Sequence, residues 1–389
     1  MAREATPLRV LYLITDLGKG GAERFLIDLA TALRARDDVE FVIGSLYGED
    51  RYGALTDDLP VEQLDFQTFS PKGPNSNPAF RDLLERFRPH VVHTHRFLAE
   101  FLSSYYVSSD IAYICHGHDN MVQLDRPSWR TFSNRTALTN FVERRHLIRS
   151  KYDKVPTAFI ANSTHTLDYY QRVLPRHMRR DVVLIPYGFN YDHFFNSMVR
   201  PPGDAERLGI LNVGSFQDKK NQAFVVDIAH ELVQRGLDFE VHLIGDGANR
   251  PAVETSVRRA GLKEHVLLHG NVDDVERWMW DSHVYLHTAW YEPFGLVLLE
   301  AMAAGLPCVT LDGKGNRDLI EDGRNGFLLT DEDASVFADR IVELATDRER
   351  YREISAYAQG FAKRYDIVAA ADRLVDFYRA RVARSRAEQ

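Results

Sequence analysis

Glu292-Pro293-Phe294-Gly295-Leu296-Val297-Leu298-Leu299-Glu300 runs on through Ala301-Met302-Ala303-Ala304 and closes at Gly305-Leu306-Pro307. Two carboxylates frame an apolar run. A Pro near the start and a Gly-x-Pro stop predict a short buried helix over 294–304. Its first turn, Phe294, Gly295, Leu296 and Val297, would present free backbone N–H groups and a positive dipole end, which suits a diphosphate. Glu292 would stand at the mouth of the helix and Glu300 roughly one and a half turns inside it. A carboxylate accepts two hydrogen bonds and so can grip a vicinal diol. A sugar, a diphosphate and a ribose laid in line make a nucleotide sugar. Taken alone, the same spacing also reads as a capped core helix with Glu292 solvated and Glu300 paired, because Glu is common on helices.

Outward from this stretch, apolar strand-like runs alternate with helical patterns. In the first half the runs are 8–14, 39–45, 90–94, 111–115, 158–161 and 182–185, with helical patterns clearest at 23–35, 79–87 and 97–107. The second half repeats the scheme with strands at 208–213, 239–244, 266–268, 284–287 and 308–311. Its helices are expected at 222–235, 251–260, 294–304 and 334–345. Strands separated by helix-length segments imply βαβ units and parallel sheets covered on both faces. The fold class is therefore α/β, with two Rossmann-like domains. The expected division is 1–190, 191–364 and a final helical segment 365–389. The boundary is sought in 190–206, where Arg200-Pro201-Pro202-Gly203-Asp204 reads as a loop. Ligand is expected in the cleft between the domains, at the carboxyl ends of the strands.

The chain's 389 residues suffice for two full cores, and its 44% hydrophobic and 27% charged content is that of a globular protein. No apolar run approaches a membrane span. Met1 to Pro7 lacks the apolar stretch of a signal peptide. Cys115 and Cys308 make no disulfide framework or zinc cluster and are expected as buried thiols in a reducing cytoplasm. Residues 1–190 hold 24 Lys and Arg against 23 Asp and Glu, a net of +1, which leaves −9 of the total −8 on 191–389. An acidic second half argues against general nucleic-acid binding. The positive excess concentrates in 121–180, with 12 basic residues against 4 acidic ones. Its aromatic and basic stretch includes Trp129, Phe132, Phe141, Arg144, Arg145, Arg149 and Lys151. That stretch is either a solvated face, a docking face for anionic lipid, or a grip on an anionic acceptor.

Further motifs follow the strands in order. They are Gly20-Gly21-Ala22-Glu23-Arg24, His93-Thr94-His95, His116-Gly117-His118-Asp119, Ile160-Ala161-Asn162-Ser163 and Ile185-Pro186-Tyr187-Gly188. The second half adds Asn212-Val213-Gly214 with Lys219-Lys220-Asn221, then Gly245-Asp246-Gly247, His269-Gly270-Asn271-Val272 and Gly313 to Asp318. Two Gly-rich pieces fail as dinucleotide fingerprints: Glu23 and Arg250 occupy the places of the third glycine. In number and order the set resembles the retaining glycosyltransferases of family 4, which have the GT-B fold.

That resemblance implies transfer of a sugar from a UDP- or GDP-sugar donor to a hydroxyl of a glycan or lipid-linked acceptor. The implied mechanism is front-side attack with retention, with closure of the domains excluding water. Glu292 would hold the donor sugar's hydroxyls and Glu300 the ribose. Lys220 would hold the diphosphate, and His116, which fits the spacing better than His118, the sugar. Gly20 and Gly21 would face the diphosphate and acceptor; Gly270, Asn271 and Val272 would line the nucleobase. Gly214 and Ser215 form the loop before Lys220, where the family usually carries an Arg at position 215. Arg24, Arg317 and Lys219 are candidates for the missing charge. Gly313, Gly315 and Asn316 are either beside the donor or in a simple loop. No metal is implied; ligation by His93, His95, His116 and His118 is possible on composition, without a Cys or acidic set to complete it. An epimerase or phosphorylase on the same architecture, or a nucleotide-sugar-binding protein without catalysis, remain the alternatives.

Overall fold

The structure, a computed structural model, describes residues 6–67, 77–199, 201–203 and 207–387. Met1 to Ala5, and Arg200 and Asp204 of the Pro-Gly loop, lie outside the described residues. The chain divides into two units after Gly188 and again after Asp366, so that the last helix, Ile367–Ala387, belongs to the first unit.

The first unit carries seven strands: β1 (Leu8–Ile14), β2 (Val39–Ser45), β3 (Val61–Gln63), β4 (Val91–His95), β5 (Ala112–Gly117), β6 (Thr157–Ala161) and β7 (Val182–Leu184). They lie in the order β3-β2-β1-β4-β5-β6-β7, every pair parallel. Helices cover both faces, so the central strands bury both sides and read as continuous apolar runs; Val10 to Ile14 are fully buried. The second unit holds β8 (Leu208–Val213), β9 (Phe239–Ile244), β10 (Val266–Gly270), β11 (Val284–His287), β12 (Cys308–Leu311) and β13 (Gly326–Leu329), in the order β10-β9-β8-β11-β12-β13. Both sheets are doubly wound. Their strand order reverses beside β1 and beside β8, which opens a crevice at the carboxyl ends of the neighbouring strands.

Helix ends follow local chemistry. Asn77 caps helix Pro78–Phe87 by accepting from the Phe80 N–H. Ser163, Asp333 and Asp347 cap the helices that follow them in the same way. The last helix is fixed in the first unit by polar contacts as well as by apolar packing. Arg381 and Arg384 meet Asp181 at 2.7 and 2.8 Å, Arg36 pairs with Asp372, and the Tyr378 hydroxyl lies 3.3 Å from that of Tyr12. Gly188 leaves room for this helix, since a Cβ there would stand 2.5 Å from that of Ala370.

Several expectations need correction. The helix expected over 97–107 is only Phe97–Ser103, ending where Ser103 and Ser104 bond back to carbonyls of the preceding turn. The helix after Glu292 begins at Leu296, and Pro293 lies outside it. Strands β3 and β13, and helices Arg135–Leu147, Thr164–Val173 and Arg348–Lys363, were not anticipated. Two charges assigned to a basic face are engaged by the protein itself. Lys151 is fully buried against Glu100 at 2.7 Å, and Arg144 is tied to the carbonyls of Leu124 and Val173.

Candidate active site

In the second unit the carboxyl ends of β8 and β11 bring Lys220 and Glu292 together across 72 residues of sequence. Lys220 Nζ donates to Glu292 Oε2 at 2.5 Å, and His287 Nε2 lies 3.5 Å from the same oxygen. Glu292 is buried. Burial alone would push its carboxyl up, but Lys220 and His287 beside it hold it well below the usual carboxylate range. His287 is driven the other way by its burial, below the ordinary histidine value.

Backbone geometry fixes the Glu292 segment. The Glu292 N–H donates to Gly313 O, and its carbonyl accepts from the Gly315 N–H. A Cβ on Gly315 would fall 1.8 Å from the Pro293 carbonyl oxygen, and one on Gly313 would fall 2.8 Å from that of Ala289. These glycines therefore brace the segment that carries Glu292. Asn316, fully buried, closes the turn by accepting from the Gly313 N–H and donating to Leu311 O.

Helix Leu296–Ala303 starts from Gly295 at φ 99°, ψ 51°, and no side chain caps it. Its first N–H groups and its dipole are thus directed out of the end beside Glu292. Phe294 and Leu296 are buried, Val297 and Glu300 half-buried. Lys220 is held by a short 3-10 turn, Asp218–Lys220, whose carbonyls accept from Thr288 Oγ1 and Trp290 Nε1. Its stem passes within 4 Å of where a Cβ on Gly214 would stand.

The neighbouring loops are in close backbone contact. Gly245, at φ 130°, would carry a Cβ 2.1 Å from Gly214 O, and its N–H donates to Gly270 O at 2.7 Å. Ser215 is exposed; its carbonyl accepts from Gln222 Nε2. Asn271 and Val272 follow β10 on the surface side, whereas His269 is occupied with His242 at 3.0 Å and lies tilted against Trp278. Of the candidates to replace an Arg at 215, Arg317 pairs with Asp312 and Arg24 with Asp28.

In the first unit, His93, His95 and His116 close the carboxyl ends of β4 and β5, all fully buried. His93 Nδ1 meets Tyr378 Oη at 2.7 Å, His95 Nδ1 meets His118 Nε2 at 2.7 Å, and His118 Nδ1 meets the Tyr187 hydroxyl. His116 stacks on His93 and His118, and neither of its ring nitrogens has a protein partner. Burial first, and then the neighbouring positive groups, hold His93, His95 and His118 well below the ordinary value; burial brings His116 down to about 3. These rings are neutral at pH 7. His93, His95 and His116 offer ring nitrogens within 4.8 Å of one another, a set that could hold a d-block cation without acidic ligands.

Gly20 precedes helix Gly21–Arg34, and both its N–H and its carbonyl meet the Tyr52 hydroxyl. A Cβ on Gly20 would stand 2.4 Å from Glu23 Oε2; beside Gly21 there is open space. Glu23 is buried and lies 2.6 Å from Arg96. Burial pushes its carboxyl up, and Arg96 offsets only part of this. Arg96 itself sits at φ 70°, a costly conformation for a residue with a side chain, directly after His95.

Sequence reasoning did not single out His287 or Arg96, and it read Tyr378 only as one residue of the apolar face of the last helix, with Ala371, Leu374 and Val375. His287 ends an apolar strand and carries a polar ring where an aliphatic residue would pack, a signal that could have found it. Arg96 leaves no such trace, because its role depends on a backbone angle, and the pairing of Tyr378 with His93 joins residues 285 positions apart.

Residues 19–193 match the family model Glycosyltransferase Family 4, and residues 207–347 match the model Glycosyl transferases group 1. The chain is 26% identical over 368 residues to EpsF of Bacillus subtilis, covering 89% of this chain and 90% of EpsF. It is 31% identical over 207 residues to the phosphatidyl-myo-inositol mannosyltransferase of Mycobacterium leprae, covering 51% of this chain and 53% of that one. EpsF apart, the chain spans about half the length of the curated relatives it matches first. Among solved structures, Anabaena HepE in complex with UDP and glucose shares the fold at TM-score 0.77 and 22% identity, over 95% of this chain and 99% of that one. WaaG, a glycosyltransferase involved in lipopolysaccharide biosynthesis, does so at TM-score 0.69 and 16% identity, over 95% and 99%. With two parallel Rossmann-like sheets and both halves matched, the chain belongs to the family 4 glycosyltransferases of GT-B fold.

Proposed function

We propose that the chain transfers a sugar from a UDP- or GDP-sugar to a hydroxyl of a glycan or lipid-linked acceptor, with retention of configuration. The observation that carries this reading is the buried Glu292 carboxylate gripped by Lys220 beside the uncapped start of helix Leu296–Ala303. Lys220 has three N–H donors and spends one on Glu292, which leaves two for phosphate oxygens. Lysine and helix dipole together put positive potential where a leaving diphosphate gathers charge. The acceptor hydroxyl would attack from the face that the diphosphate leaves, and the departing phosphate would take its proton. Neutral His116, with both ring nitrogens unpartnered, suits a sugar hydroxyl, whereas the ring nitrogens of His118 are engaged by His95 and Tyr187. Glu300 takes the ribose, and Gly270, Asn271 and Val272 the base.

Calorimetry on two variants tests the assignment. Glu300→Ala should weaken both the nucleotide sugar and the free nucleoside diphosphate by about 1.5–3 kcal/mol, the range for hydrogen bonds to a charged group. Glu292→Ala should spare the free nucleotide and damage turnover. Wild-type nucleotide affinity in a folded Glu300→Ala variant would overturn the ribose assignment. The same reaction should run in excess EDTA; loss of turnover that Zn²⁺ restores would instead place a metal on the histidines of the first unit. Ser215, in place of an Arg, favours a second reading: donor binding without catalysis. Donor binding with no turnover on any acceptor would establish it.

A lipid-linked acceptor calls for a membrane face. No helix of the described residues is long and apolar enough to cross a membrane. Helix Arg135–Leu147 and its extension present Arg135, Leu138, Val142, Arg145 and Arg149 along one exposed stripe, next to Trp129 and Phe132, which are 80% and 72% exposed. Apolar tips flanked by arginines suit an anionic lipid surface, where attraction acts within about 8 Å at physiological salt. Vesicles containing anionic lipid should therefore pellet the protein and neutral ones should not. Trp129→Ser with Arg145→Glu and Arg149→Glu should abolish pelleting and leave donor affinity unchanged. Equal pelleting by the variant would rule this face out.

A further inference from the structure

At the opposite, amino-terminal edge of the first sheet lies a cavity of about 490 Å³, lined by Arg9 of β1, Arg88 and His90 ahead of β4, Asp110 ahead of β5, and Arg386 of the last helix. This volume falls within the roughly 300–1,000 Å³ of small-molecule sites. Four of its side chains, those of Arg9, Arg88, His90 and Arg386, can donate to an anion, beside Asp110 and the hydroxyls of Ser108 and Ser385. The Arg9 backbone N–H donates to His90 Nδ1 at 3.1 Å, so a neutral His90 ring carries its proton on Nε2. Arg9 Nε donates to Arg88 O at 2.8 Å, which holds its guanidinium in place.

Arg88 and Arg386 meet no carboxylate within ion-pair distance among the described residues. Their neighbours differ: on the same last helix Arg379 pairs with Asp38, and Arg381 and Arg384 with Asp181. Arg88 also occupies the left-handed end of helix Pro78–Phe87, at φ 50°, where glycine is usual. Three guanidiniums thus face one carboxylate, that of Asp110. Guanidinium forks match the oxygens of phosphate better than any other common side chain. Leu84, Ile111 and Val382 add an apolar lining.

We propose that this cavity is a binding site for an organic phosphate, with the phosphoryl group held by Arg9, Arg88, Arg386 and His90 and the remainder resting on Leu84, Ile111 and Val382. The site is independent of the sugar-donor reading and lies in one unit alone. Partial burial, and then Arg9 and Arg386, lower the His90 pKa against a weaker opposing effect of Glu40. A bound anion reverses that field and should raise the pKa.

The test follows the His90 ring by NMR titration of the full chain with inorganic pyrophosphate. A saturable upward shift of the His90 midpoint is expected in the wild type. Arg88→Ala with Arg386→Ala should weaken the apparent affinity at least about tenfold, as loss of charge-assisted hydrogen bonds does. Phosphatidylglycerol vesicles form the second arm. A larger shift with vesicles than with pyrophosphate identifies the phosphate as a lipid headgroup, and a shift with pyrophosphate alone identifies a soluble ligand. A wild-type His90 midpoint that stays put with both probes at millimolar phosphate overturns the proposal, and this comparison requires no variant to fold.

Discussion

Lys220→Ala is expected to lower kcat by about two to three orders of magnitude, the effect of removing one preorganised donor from a developing anion. The loss has two sources. On the proposed reading the leaving diphosphate loses a cation, and buried Glu292 keeps only His287 of the two groups that hold its carboxyl low. A protonated Glu292 would present a donor where a sugar hydroxyl expects an acceptor. Affinity for the nucleoside diphosphate should therefore fall, while affinity for the nucleoside alone stays near wild type, since the proposed assignment gives that part to neither group. Lys220→Arg should recover part of the rate, because it restores charge without the same reach. Steady-state rates and calorimetry on the two variants decide the matter. Wild-type kcat in Lys220→Ala would remove Lys220 from the mechanism.

The largest effect on stability should come from Lys151. Its ammonium is fully buried, 2.7 Å from both Glu100 Oε2 and Ser103 Oγ and 4.8 Å from the centre of the Tyr113 ring. Thr94 Oγ1 donates to the same Glu100 oxygen at 2.6 Å, so the pair also anchors the strand that bears His93 and His95. Removing one partner leaves an uncompensated buried charge, which costs about 3–5 kcal/mol. Lys151→Ala should lose that much in urea unfolding of the first unit. The double change Lys151→Met with Glu100→Leu should recover most of it, because an apolar pair of similar size has no charge to desolvate. A loss below about 1 kcal/mol in Lys151→Ala would mean that water reaches this site.

The same residue shows where sequence reading reaches its end. Lys151 looks like one charge among many in a basic stretch; only the pairing with a Glu 51 residues earlier makes it core. β1 was legible because both its faces are buried and every position from Val10 to Ile14 had to be apolar. β3 carries one apolar residue in three and offers no run to read, and β13 is four residues long and opens on a glycine. Helix Arg135–Leu147 fully buries only Leu147, and half-buried Arg144 spends its polar tip on the carbonyls of Leu124 and Val173. At the candidate site, Glu292 was named on chemical grounds, and Lys220 and the glycines as separate motifs whose roles the resemblance implied. That one oxygen of Glu292 meets both Lys220 and His287 depends on three loops converging, which local spacing does not encode. Gly313 and Gly315 were read as ligand neighbours or as loop; their missing Cβ atoms make space for the backbone of Pro293 and Ala289.

The placement of helix Ile367–Ala387 in the first unit has a consequence for the newborn chain. The second unit is one uninterrupted segment, 189–366, and can complete itself as soon as it clears the ribosome. The first unit emerges earlier yet lacks Tyr378, the partner of Tyr12 and His93, until 190 residues beyond Gly188 have been made. At roughly 5–20 residues per second, the delay between Gly188 and Tyr378 is about 10–40 s. Throughout that interval the seven-stranded sheet has part of an apolar face uncovered. The order of maturation thus runs against the order of synthesis, and the amino-terminal half is the one expected to need a chaperone's shelter.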